Sequence, residues 1–233
     1  MEDVTPKLLK AIQEDFNRLT KSNTKFIELH KKISSNKATY KEANQYAIEL
    51  GNILARAYQN NLSSEVLPNG KMYLNIAKKI IDPTMRRNFS LISKATTQVQ
   101  KVLNEQAGIG LKAITPKLNE DKINGIIYKL TTEESFDDVK WVLDEPIVTF
   151  SQSIVDDSIK ANAEFQSKAG LKPMIVRRMA GNCCDWCKQQ VGMYIYPNVP
   201  EDVYRRHQRC KCTVEYIADG NIKVLPGAKV RRK

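Results

Sequence analysis

Every cysteine in this chain of 233 residues lies between Cys183 and Cys212, and the first 182 residues have none. Cysteines that staple a small secreted fold are spread across it, whereas a tight cluster is the pattern of a metal site. The order is Cys184-x-x-Cys187, a spacer of 19 residues, then His207-x-x-Cys210-x-Cys212. Zinc takes four ligands in a tetrahedron and prefers thiolate sulfur and imidazole nitrogen. Two cysteines three apart reach one ion from a tight turn. A second group from a distant loop completes the shell and fixes the segment between. The expectation is a Zn2+ module whose candidate ligands are Cys184, Cys187, His207, Cys210 and Cys212. With Cys183 there are six candidates for four places, and Cys183 is the expected spare, because adjacent residues reach one ion poorly. Cys210 and Cys212 alternate along the chain. On a straight strand they would stand about 6.6 Å apart, so the backbone must turn there if both bind, and His207 is the substitute for one of them. Two alternatives stay open: a reduced cluster without metal, and a disulfide across the spacer.

A catalytic zinc keeps one position open for water, with an acid or base beside it. Here ligands exceed places, which favours a closed structural site that contributes folding energy to a segment with few large apolar residues. A nuclease built on paired cysteines needs a further working histidine. This chain has two histidines, His30 in a helical stretch and His207 inside the cysteine pattern. The residues offer no catalytic constellation, and the chain reads as a non-enzyme.

Before the cysteines the sequence is helical. Thr5 and Pro6 open a helix carrying Leu8, Ile12, Phe16 and Leu19 at helical spacing, continuing more weakly to about His30. Tyr40, Ala43, Ala47, Leu50, Leu54 and Ala57 form one stripe of a second helix. A third helical region runs from about Met72 to Gln106, where Pro83 should start or kink a segment, and is ended by Gly108 and Gly110. Thr131 and Glu134 have capping-box spacing ahead of Phe136, and Pro146 opens a long helix through Ile147, Phe150, Ile154, Ala161 and Phe165. Met174–Val176, Tyr194–Tyr196 and Thr213–Ile217 read as short strands, with Ile222–Leu225 a further apolar run. The expected fold is mainly α: an elongated helical body followed by a small C-terminal zinc-binding α+β module with short antiparallel strands. Its divisions are an N-terminal helical region over 1–108, central helices over 109–172, the zinc module over 173–226 and a basic tail over 227–233.

The net charge of +11 favours polyanionic partners. From Arg205 to Lys233 there are nine Lys or Arg against two Asp or Glu. Arg205, Arg206, Arg209, Lys211, Arg231, Arg232 and Lys233 are the candidate contacts to nucleic acid or an acidic partner. Trp186 is expected to pack over the zinc loop, Tyr194 and Tyr196 to share a strand face in the core of the small module, and Asp156 and Asp157 to lie on a solvated helix face. One of Arg177 and Arg178 is expected to bridge to an acidic helix residue. No stretch approaches the roughly 18 apolar residues of a membrane span, and the acidic start Met1-Glu2-Asp3 lacks a signal-peptide pattern. Synthesis in the cytoplasm without export follows as the expectation, with no membrane partner.

Cys184-Asp-Trp-Cys187, Gly192, a proline-containing loop and His207-Gln-Arg-Cys210-Lys-Cys212 follow one another in an order that resembles the C-terminal signature of phage minor head proteins of the Mu F-like head-morphogenesis family. The resemblance covers residues 109–217. Gln208 stands where family members often carry proline. The resemblance implies a virion component, oligomeric in the particle, that associates with portal or major capsid protein. Its location would be the host cytoplasm during assembly and then the head interior or portal vertex. Phosphate contacts to double-stranded DNA would need no sequence reading. A general nucleic-acid-binding zinc protein without a capsid role is the alternative.

Overall fold

The computed structural model describes residues 3–181, 183–207 and 209–218. The apolar run Ile222–Leu225 and the basic tail over 227–233 lie outside them. Among the described residues eight α-helices precede or interleave with three strands: α1 (Thr5–Ser22), α2 (Thr24–Ser34), α3 (Tyr40–Asn61), α4 (Leu74–Gln106), α5 (Glu120–Leu130), α6 (Phe136–Val139), α7 (Glu145–Lys168), β1 (Met174–Arg178), α8 (Asp185–Gln190), β2 (Gly192–Ile195) and β3 (Thr213–Ile217). Mainly helical architecture with a small antiparallel sheet is thus what the chain forms.

Local chemistry sets the boundaries. The weak continuation of the first helix is a separate element, because the Asn23 side chain accepts from Phe26 N at 2.8 Å and starts α2 afresh. Thr39 and Glu42 form a reciprocal capping box on α3. The expected stripe on α3, from Tyr40 to Ala57, is buried at every position. Pro83 does not break α4, which runs unbroken for 33 residues. Beside it the Thr84 hydroxyl donates to the carbonyls of Ile80 and Ile81 at 2.6 and 3.0 Å, and the proline forfeits only the one bond its N–H would give to the Lys79 carbonyl. Gly108, at φ 68°, ends α4 as expected. Thr131 closes α5 instead of opening the next helix. The cap of α6 is Ser135, whose hydroxyl accepts from Asp137 N at 3.2 Å.

Helix α3 packs against α1, α2, α4 and α7, and its contact with α7 is the most extensive in the chain. Gly51 makes this closeness possible: a Cβ there would lie 2.8 Å from Val148 Cα and 2.9 Å from Ser151 Oγ. Helix α7 is buried on more than its apolar stripe. Ser151, Gln152, Ser158, Asn162 and Gln166 are buried, while Ala161 and Phe165 are only half-buried. These polar groups find partners across the bundle. Asn88 donates to Ser151 at 2.7 Å, Tyr40 to Gln100 at 2.8 Å, Gln166 to Asn104 at 2.9 Å, and the Tyr216 hydroxyl of β3 to Gln166.

The sheet has the order β2-β1-β3, all antiparallel, with Ile175 opposite Tyr194 on one side and Tyr216 on the other. Ile175, Tyr194, Val214 and Tyr216 join the same apolar core as Leu8, Leu50 and Ile147. The buried apolar residues of the opposite face are Met174, Val176 and Met193, with Ile217 packed beside them. Tyr194 and Tyr196 therefore pack on the helical core and not on a separate module core. No helix among the described residues is long and apolar enough to cross a membrane.

Replacing Gly51 with alanine tests the α3–α7 approach. The nearest obstacle is backbone, so the helices must separate, at a cost of about 1–3 kcal/mol. The thermal midpoint should fall by roughly 2–4 °C for each kcal/mol, and an unchanged midpoint by calorimetry would contradict the packing.

Candidate metal centre

Three chain segments meet at the end of the sheet. Cys184 is the N-cap of α8 and Cys187 lies one turn on, so their side chains fall on one side of the helix start. His207, Cys210 and Cys212 come from the loop between the turn Glu201–Val203 and β3. Arg209 takes a positive φ of 61°, which bends the chain between His207 and Cys210. The bend lies before Cys210, not between Cys210 and Cys212, where joint ligation is expected to need one.

His207 Nε2 lies 3.0 Å from Cys187 Sγ and 3.3 Å from Cys184 Sγ, and Cys187 Sγ lies 3.7 Å from Cys210 Sγ. The donors form two overlapping triads, Cys184–Cys187–His207 and Cys187–Cys210–Cys212. In each, all donor atoms lie within 4.8 Å of one another. Cys187 belongs to both. A tetrahedral shell with Zn–S bonds of about 2.3 Å spaces its sulfurs about 3.7–3.8 Å apart, the separation of Cys187 and Cys210. All five cysteines are free thiols. Cys183 borders the cluster, packed against its buried cysteines. Burial, then the neighbouring Cys210, pushes the Cys187 thiol far up. A divalent cation is the group that would offset both by replacing the proton.

Two arginines fix this arrangement. Arg177 of β1 is 1% exposed. One terminal nitrogen donates to the carbonyls of Val203 at 2.6 Å, Arg205 at 2.8 Å and Asp202 at 3.3 Å. The other points at Cys187 Sγ and Cys210 Sγ, both at 3.7 Å. The Trp186 ring lies 5.5 Å from its guanidinium carbon and meets the His207 ring edge-on at 5.8 Å, so the tryptophan does pack over the cysteine loop. Arg178, on the opposite strand face, pairs with Glu215 of β3 at 3.0 Å. Its partner is on the neighbouring strand, not on a helix.

Arg206 corrects the sequence expectation. Its side chain is 2% exposed and forms a bidentate pair with Asp156 of α7, itself 1% exposed. It also donates to the Cys212 carbonyl at 2.7 Å and to Asn44 Oδ1 of α3 at 3.2 Å. Burial alone would pull the Arg206 guanidinium's affinity for its proton down, but the Asp156 carboxylate outweighs it and the net shift is upward. A group so enclosed cannot grip phosphate, and Asp156 is no solvated carboxylate. Sequence reasoning missed the pair because 50 residues separate its members. Arg209 and Lys211 are exposed at the edge of the cluster, and exposed Arg205 pairs with Asp202 at 3.1 Å. Arg231, Arg232 and Lys233 lie outside the described residues. His30 stacks on Phe26 and Tyr46, between α2 and α3.

Comparison with family models, with curated proteins and with solved structures gave no match.

Asp156→Ala leaves Arg206 buried without a counter-charge and should cost about 3–5 kcal/mol. The double replacement Asp156→Ala with Arg206→Met should recover a large part of that loss. Urea unfolding of the wild type, Asp156→Ala, Arg206→Met and the double variant decides it, and additive single losses would mean that the two groups are not coupled.

Proposed function

We propose that this chain is a phage virion structural protein, a minor head or portal-associated component, with a structural Zn2+ module at its C-terminal end. The observation that carries the reading is the convergence of Cys184, Cys187, His207, Cys210 and Cys212 within bonding reach of common centres. They occur in the same order as in the head-morphogenesis signature that the sequence resembles. Ligands are drawn from among these five, with Cys187 common to every set. The metal holds α8 against the loop that leads into β3, which is what a structural zinc does for a segment short of apolar bulk.

The supporting geometry is the cysteine loop tied to the helical body through Arg206 and Asp156 and through the sheet packed on the helical core. The partner in this reading is portal or major capsid protein. Exposed Arg209 and Lys211 line the cluster, and with exposed Arg205 they suit phosphate contact with packaged double-stranded DNA.

Purified under reducing conditions, the full chain should carry one zinc by elemental analysis, and Cys187→Ser should lose it. Co-expressed with the portal and major capsid genes of its own genome, the chain should sediment with assembled heads. Metal-free protein would sink the zinc module. Zinc-loaded protein that stays at the top of the gradient would sink the virion role and leave the module standing.

A further inference from the structure

We infer that Arg177 belongs to the metal centre as its buried counter-charge, and that it selects a shell of three thiolates and His207. The inference rests on the zinc reading above and deepens it. Among the described residues Arg177 is a buried cation paired with no carboxylate. Its acceptors are three backbone carbonyls and two sulfurs. A guanidinium withdrawn from water needs a negative charge beside it, because carbonyl dipoles alone do not repay the lost hydration. The groups facing it that can supply that charge are Cys187 and Cys210.

Charge balance then narrows the ligand set. Two thiolates neutralise Zn2+ and leave Arg177 uncompensated. Four thiolates leave a site of charge −2, which Arg177 halves. Three thiolates with neutral imidazole give −1, and Arg177 brings the buried assembly to zero. Arg206 does not enter the sum, since Asp156 already balances it. Arg209 and Lys211 are exposed and solvated, so they compensate weakly. Cys187, which Arg177 touches and which both triads share, is the constant member, and the shell draws His207 from one triad and Cys210, which Arg177 also touches, from the other. The third thiolate comes from Cys184 or Cys212. The same guanidinium holds the carbonyls of residues 202, 203 and 205 and so sets the path of the chain into His207. Arg177 thereby acts as a positioning residue as well as a charge.

X-ray absorption at the zinc edge of the full-length protein tests the shell directly. The expected result is three sulfurs at about 2.3 Å and one nitrogen at about 2.0–2.1 Å. A four-sulfur or two-sulfur shell would overturn the inference while leaving zinc binding intact, and absence of zinc would overturn the underlying reading instead. Competition with a chromogenic chelator gives the second readout. Arg177→Met should weaken zinc binding about 10–100-fold, and Arg177→Lys, which keeps the charge, should restore most of it. Equal losses in both variants would refute the charge argument. Should the methionine variant fail to fold, the sulfur count on the native protein decides alone.

Discussion

The bidentate pair between Asp156 and Arg206 joins the two halves of this molecule. Asp156 projects from the middle of α7, and Arg206 sits directly before His207. The same guanidinium reaches the Cys212 carbonyl and the Asn44 side chain of α3. One buried side chain thus touches two body helices and the backbone of a candidate ligand. A buried ion pair is weak as a source of net stability but strict about geometry, since losing either partner strands a charge. Its effect here is to fix where the cysteine loop sits relative to the helices. The apolar contact of Ile175, Tyr194 and Tyr216 with the core supplies the attraction without fixing that position so closely.

The interior of the helical body works by the same logic. Tyr40, Gln100, Asn104, Ser158 and Gln166 form a chain of side-chain bonds between α3, α4 and α7, and Tyr216 extends it into the sheet. Each bond contributes modestly, but a slip of one helical turn would leave several amides unpaired in the interior. Gly51 removes the remaining freedom by letting α3 and α7 approach until backbone meets backbone. Apolar stripes make such helices associate, and the polar seam selects one register among the many that would bury the same area.

What the sequence disclosed and what it hid divide along this line. Periodicity found the stripe of α3 because a helix face repeats locally, and the cysteine spacing found the cluster because metal ligands come in short, chemically distinctive groups. The seam was hidden because buried Gln, Asn and Ser look like surface residues until their partners are known. Arg177 and Arg206 were hidden for the same reason. Their neighbours Arg178 and Arg205 carry the same charge yet are solvent-facing or only partly covered, and nothing local separates them. Strand alternation offered one usable signal: Arg177 shares its face with Ile175, which the apolar run already turned inward. The break at Asn23 was legible in principle from its capping chemistry, and Pro83 shows the converse, a breaker overruled by burial on both sides of it.

Burial sorts the positive charge of the C-terminal region into two populations with different work. Arg177 and Arg206 are withdrawn from solvent and are answered by sulfur, carbonyl and carboxylate, so they shape the module and have nothing left to offer a partner. Arg205, Arg209 and Lys211 flank them within a few residues and keep their charge in water. Arg209 occupies the bend between His207 and Cys210, so the conformation that brings those two side chains to the cluster also carries an exposed cation. A count of basic residues would credit all of them to polyanion binding. The geometry places the inner pair within the site and leaves the outer three facing solvent, with Arg205 beside Asp202. A metal bound at the cluster would therefore govern the outer charges indirectly, by fixing the loop on which they stand.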